Sequence, residues 1–272
     1  MYKLLLTIVS FLFLFPAVAQ TQDEILAEGF LLYNSERASW LGTDLFMAKF
    51  PDKKDKIGGY LSYSDGDKHK CIFYDKDTDP GVLATITFDD SFVVEVANVN
   101  TDVRKLNSTE KDLYIIRTAA LAEINKDTLF ERYENTNFNL IPMIIKEQKK
   151  VYILTGPENN GVLLFGNDYL ITFDKKNTVK TKKRLHNNLI VLEYGKEENQ
   201  ISSIHSHNEK TGDLITATDI CTLLLYGPYT PWKTHYVISK GNVSIWDIQK
   251  EELIVMTRKA WDRMNESQDK KK

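Results

Sequence analysis

The chain has 272 residues, with 35 Lys and Arg against 38 Asp and Glu for a formal net charge of −3, and it is 42% hydrophobic and 11% aromatic. That balance excludes disorder, a collagen-like repeat and a disulfide-dense mini-scaffold, and the lack of a basic excess argues against a nucleic-acid partner. The length suffices to bury a full core in one large or two small domains.

Residues 1–19 have the form of an export signal. Lys3 precedes an apolar run from Leu4 to Phe15, Pro16 breaks it, and Ala17-Val18-Ala19 supplies the small-x-small site before Gln20. The run is shorter than the roughly 20 apolar residues of a membrane helix. The expectation is a secreted or periplasmic protein with no membrane anchor once the signal is removed.

Residues 22–47 read as a helix, with Ile25, Gly29, Leu32 and Tyr33 on one face. Short strands follow at Gly59–Tyr63, Lys70–Tyr74, Val82–Phe88 and Phe92–Val99, separated by Asp, Gly and Pro turns, which predicts an antiparallel meander. Ser108 or Thr109 opens an amphipathic helix carrying Leu113, Ile116, Ala120 and Ile124. The polar stretch Asn135 to Asn139 marks a domain boundary, giving an N-terminal α+β region over 20–138 and a second domain over 139–265. Strands are expected there at Leu140–Ile145, Val151–Leu154, Gly161–Phe165, Tyr169–Phe173, Leu189–Leu192, Ile201–Ile204, Tyr236–Ser239 and Val243–Trp246. Helices are expected around 218–226 and 258–264, and 266–272 as a disordered tail. The fold class is α+β. Lys175 to Arg184 carries six basic residues without an acid and reads as a solvated hairpin end, because no aromatic residues interleave to stack on bases.

One constellation carries chemistry. His205 and His207 are two apart at the end of a strand, so both imidazoles project to one side, as two ligands of one metal ion would. Thr216 and Asp219 stand at the mouth of the next helix, where Asp219 is a candidate third ligand and Thr216 a candidate hydrogen-bond donor to a substrate oxyanion. The same pair also reads as ordinary helix capping, and the two readings stay open.

His205-Ser206-His207, a loop, then Thr216-Ala217-Thr218-Asp219 resembles the His-x-His … Ser-x-x-Asp signature of the JAB/MPN (JAMM) zinc metallopeptidases. The resemblance covers about residues 140–255 and implies a JAB/MPN-like mixed α/β domain behind an N-terminal region of no recognised family. It further implies Zn2+ held by His205, His207 and Asp219. In that family an upstream Glu is the general base, and the segment Glu158-Asn159-Asn160-Gly161-Val162-Leu163 carries this role to Glu158, with Thr216 assisting the oxyanion. This sequence has Asn208 where the family commonly has Pro, and Thr216 in place of Ser. The implied function is hydrolysis of an amide bond in a peptide or protein substrate by a zinc-activated water. The alternative is a non-catalytic secreted binding or structural protein with a degenerate site. Phosphoesterases that open a barrel on His-x-His fail because too little chain follows His207, and zinc deaminases fail for want of His-x-Glu and a paired Cys motif.

The remaining candidates have plainer readings. His186 and His235, flanked by polar residues, read as surface or capping groups, and Gly166-Asn167-Asp168-Tyr169 as a turn. Cys71 and Cys221 are compatible with a disulfide or with two buried thiols.

Overall fold

The computed structural model describes residues 20–194 and 200–269; the expected export signal lies outside the described residues. The fold is α+β. Helix α1 (Gln22–Lys49) begins with a capping box in which Glu24 N donates to Thr21 Oγ1 and the Glu24 carboxylate accepts from Thr21 N. Strands β1 (Ile57–Asp65), β2 (Lys68–Asp75) and β3 (Gly81–Phe88) form the antiparallel meander, and β3 also pairs β4 (Asn98–Asn100) and β5 (Arg104–Lys105). Helix α2 (Ser108–Lys126) is capped by Asn107.

Of the expected strand over Phe92–Val99 only Asn98 and Val99 form one, as the start of β4. Phe92 takes a left-handed φ of 52°, and Val94–Val96 make a 3-10 turn. The Phe92 ring stacks on His69 at 4.8 Å and packs beside Phe88, so this residue plugs a core instead of contributing to a strand face.

A second antiparallel sheet, in the order β10-β9-β7-β6, comprises β6 (Thr136–Ile145), β7 (Gln148–Pro157), β9 (Tyr169–Phe173) and β10 (Val179–Arg184). The basic stretch 175–184 is the β9–β10 hairpin. Strand β8 (Val162–Gly166) leaves this sheet to pair with β11 (Leu189–Glu193). The last sheet runs β12-β13-β14-β15, from β12 (Ser202–Ser206), β13 (Thr234–Ile238), β14 (Asn242–Asp247) and β15 (Glu252–Thr257). Its β12–β13 pair is parallel and is connected through α3 (Ala217–Tyr226). Helix α4 (Arg258–Asp269) continues into the stretch expected as a tail.

The packing crosses the boundary expected at Asn135 to Asn139. One core combines Leu61, Ile72 and Leu113 with Val151, Ile153 and Ile171, and another joins Leu32 to Ile141, Tyr152 and Cys221. Helix α1 is the shared spine: its first half lies on α3 and its second half on β2 and β3, where Phe46 stacks on Phe73 at 4.2 Å. The α1–α3 approach requires Gly29, because a Cβ there would fall 2.7 Å from Ile220 Cγ2. Both cysteines are buried free thiols.

Candidate metal centre

Strand β12 alternates as its sequence dictates: Ser203 and His205 are buried, Ser202, Ile204 and Ser206 are exposed, and His207 continues the buried row just past the strand. His207 N donates to Ile238 O, which extends the pairing with β13 by one step. The two imidazoles share a face, with Nε2 atoms 3.0 Å apart.

Asp219 meets them from the start of α3. It caps the helix and faces the histidines with the same carboxylate. Thr216 donates its N–H and its hydroxyl to Asp219 Oδ2, and Asp219 N donates to Thr216 Oγ1. The same Oδ2 lies 3.3 Å from His207 Nε2, and Oδ1 lies 3.7 Å from His205 Nε2. The Thr216 hydroxyl is therefore engaged in orienting Asp219.

The third imidazole was not expected here. His186 Nε2 lies 3.2 Å from His207 Nε2 and 3.7 Å from Asp219 Oδ2, and His186, His207 and Asp219 form a buried group that could hold a metal ion. The β9–β10 hairpin delivers it. Leu185 N donates to Asp168 O at the open end of the hairpin, which brings His186 beside Asp168, and His186 Nδ1 lies 2.6 Å from Asp168 Oδ1. Gly166 makes the preceding bend possible, with φ 86° and a position where a Cβ would fall 2.1 Å from Asn188 O. His235 is fully buried on β13, with Nε2 2.9 Å from His205 Nδ1 and Nδ1 2.7 Å from Ser203 Oγ. Four of the five histidines thus converge; His69 is the remaining one, paired with Asp90 and Ser64.

Each of the three central imidazoles is held through Nδ1 and presents Nε2 to the group. His207 Nδ1 donates to Leu214 O, a carbonyl that can only accept, so the neutral ring keeps its lone pair on Nε2. The contacts of 3.0 to 3.7 Å bracket the ligand-to-ligand edge of about 3.3 Å in a tetrahedron with 2.0–2.1 Å bonds. Such outer hydrogen bonds are what orient metal-binding histidines.

Electrostatics divides the histidines. Burial works against charge on His186, but the Asp168 and Asp219 carboxylates outweigh it and raise the ring to about 9. Burial dominates at His205 and His235, which fall to about 4 and about 3. Asp219 is held well below the usual carboxylate range: burial pushes it up, and the surrounding imidazoles, led by His186, push it down further. A pocket of about 50 Å³ bordered by Phe165, His186, His205 and Thr211 leads to the group.

Glu158 is not brought to this centre. It is exposed in the turn after β7, its N–H donating to Asn135 O, while the histidines gather at the Gly166 end of β8. The missed residues carried a usable signal: once Tyr169–Arg184 is read as a hairpin, Asp168 and His186 must meet at its open end. Comparison of the chain with protein-family models, curated proteins and solved structures gives no match.

Proposed function

We propose that this chain is an exported zinc-dependent hydrolase of peptide or protein amide bonds, with the metal held by His205, His207 and Asp219 and proton transfer carried by His186 backed by Asp168. The observation that supports it is the convergence of three Nε2 atoms on one carboxylate, each ring anchored through its other nitrogen. Zinc at such a group supplies Lewis-acid polarisation of a carbonyl and a water of lowered pKa. His186 then takes the place that the JAB/MPN resemblance gave to Glu158: the charge of a bound zinc ion would offset the two carboxylates that hold its ring at about 9, and in the neutral ring Nε2 would accept a proton from water and return it to the leaving amine, while Asp168 fixes the ring. Thr216 orients Asp219, and the Phe165 ring against His205 and His235 excludes water from that side.

A second reading has its own support. His186 Nε2 is as close to His207 and Asp219 as a ligand would be, and the pocket beside it is small. With His186 as fourth ligand the site is closed and structural. One experiment separates the two. Metal analysis of the purified protein should find about one zinc per chain, and His205→Ala with His207→Ala should release it. His186→Ala should then keep zinc and lose peptide hydrolysis. Loss of zinc instead makes His186 a ligand, and a zinc-free wild type rejects the metal site altogether.

A further inference from the structure

A wide cavity lies elsewhere, at the other ends of α3 and β8. It measures about 770 Å³ and is bordered by Val162 and Tyr226, whereas Gly166 and Asp219 mark the histidine ends of the same elements. Asp219 to Tyr226 is about 10 Å along the helix, and Val162 to Gly166 about 13 Å along the strand. The two sites are therefore separate.

The chemistry of its walls is one-sided. Two carboxylates, Glu36 and Asp44, and five aromatic rings border the cavity, and among the described residues no Lys, Arg or His does. Trp40 and Tyr229 are exposed at its margin. Glu36 lies on the α1 wall, and among the described residues its one hydrogen bond is from Asn139 Nδ2 at 3.0 Å. Its nearest cationic influence is Arg117, whose guanidinium sits 5.5 Å from the Tyr60 ring and does not reach ion-pair distance of Glu36. Burial raises Glu36 to about 7 against the opposing Asn139 hydrogen bond and Arg117 charge, as expected for a carboxylate lacking a close counter-ion. Burial and then the Glu36 charge raise the phenols of Tyr60 and Tyr226, which border the same cavity.

We propose that this cavity binds a small organic cation, with Glu36 as its counter-ion and the faces of Trp40, Tyr60 and Tyr226 as its walls. An ammonium group there gains both a desolvated ion pair and attraction to ring faces, and it relieves the uncompensated carboxylate. A neutral sugar also uses aromatic and carboxylate contacts, but it leaves the Glu36 charge unpaired.

The test is titration of the purified full chain at pH 7.5 with 2-phenylethylamine, its neutral isostere 2-phenylethanol, and maltose, followed by calorimetry and by tryptophan fluorescence. The amine should bind at least about tenfold more tightly than the alcohol, and Glu36→Gln should remove that preference. Trp40→Ala alters an exposed side chain, so it should weaken amine binding without disturbing the fold, which keeps the test decisive even where Glu36→Gln unfolds the chain. EDTA should leave amine binding unchanged, separating this site from the histidine group. Equal affinity for amine and alcohol, tighter binding of maltose, or undiminished amine binding in a folded Glu36→Gln protein would overturn the proposal.

Discussion

The two ends of α3 treat a carboxylate in opposite ways, the fully buried Asp219 at one and the half-buried Glu36 at the other. At the N-terminal end Asp219 is enclosed by three imidazoles; at the C-terminal end Glu36 faces a wide cavity with a single amide donor. Burial is the largest single influence on both, yet Asp219 ends well below its ordinary range and Glu36 rises to about 7. The cations within reach decide the sign, so burial alone does not predict whether an acid is charged.

Variants that remove the difference test it directly. The largest effect is expected from Asp219→Asn, which keeps a capping side chain but deletes the charge: zinc affinity should fall at least about 100-fold, measured by chelator competition. Wild-type affinity in that variant would reduce Asp219 to a helix cap. Asp168→Asn should lower peptide hydrolysis by about 10- to 100-fold with zinc content unchanged; a parallel loss of metal favours the structural reading. Gly29→Ala drives a methyl group into Ile220, the residue after Asp219, and should cost about 2 kcal/mol in urea unfolding.

Glu36 gives a pH signature. Its folded pKa of about 7 exceeds the ordinary value of 4.5, so the folded state holds the proton more tightly. Stability from this group should therefore be greatest below about pH 4.5, fall as pH rises towards 7, and level off above, by on the order of 2 kcal/mol. Glu36→Gln should flatten that part of the urea-midpoint profile between pH 5 and pH 8. An unchanged slope would show that the carboxylate is already paired. The smallest effect is expected at Glu158→Gln, on an exposed turn far from the histidines, where zinc content and hydrolysis should stay within about twofold of wild type.

Local patterns were the legible part of this sequence. The faces of α1 and α2, the first three strands and the shared side of His205 and His207 follow from periodicities of 3.6 and 2. Phe92–Val99 misled because its apolar residues serve a core plug and an exposed 3-10 turn, which share the composition of a strand but not its alternation. His186 and His235 misled for a different reason: their polar neighbours face solvent while they themselves face inward, and only pairing across strands reveals it. Glu158 satisfied a spacing along the chain that β8 then spends on distance in space.

Helix α1 has a consequence for the order of events during synthesis. Its Gln22 side chain donates to Leu253 O, and Ile25 and Gly29 rest against α3, so the earliest element described has its partners near the end of the chain. Contacts of such long sequence separation form late. The second half of the helix can therefore dock on β2 and β3 soon after they emerge, whereas its first half stays bare until almost the entire polypeptide is made, and the histidine group, built on that same α3, is assembled among the last parts of the molecule.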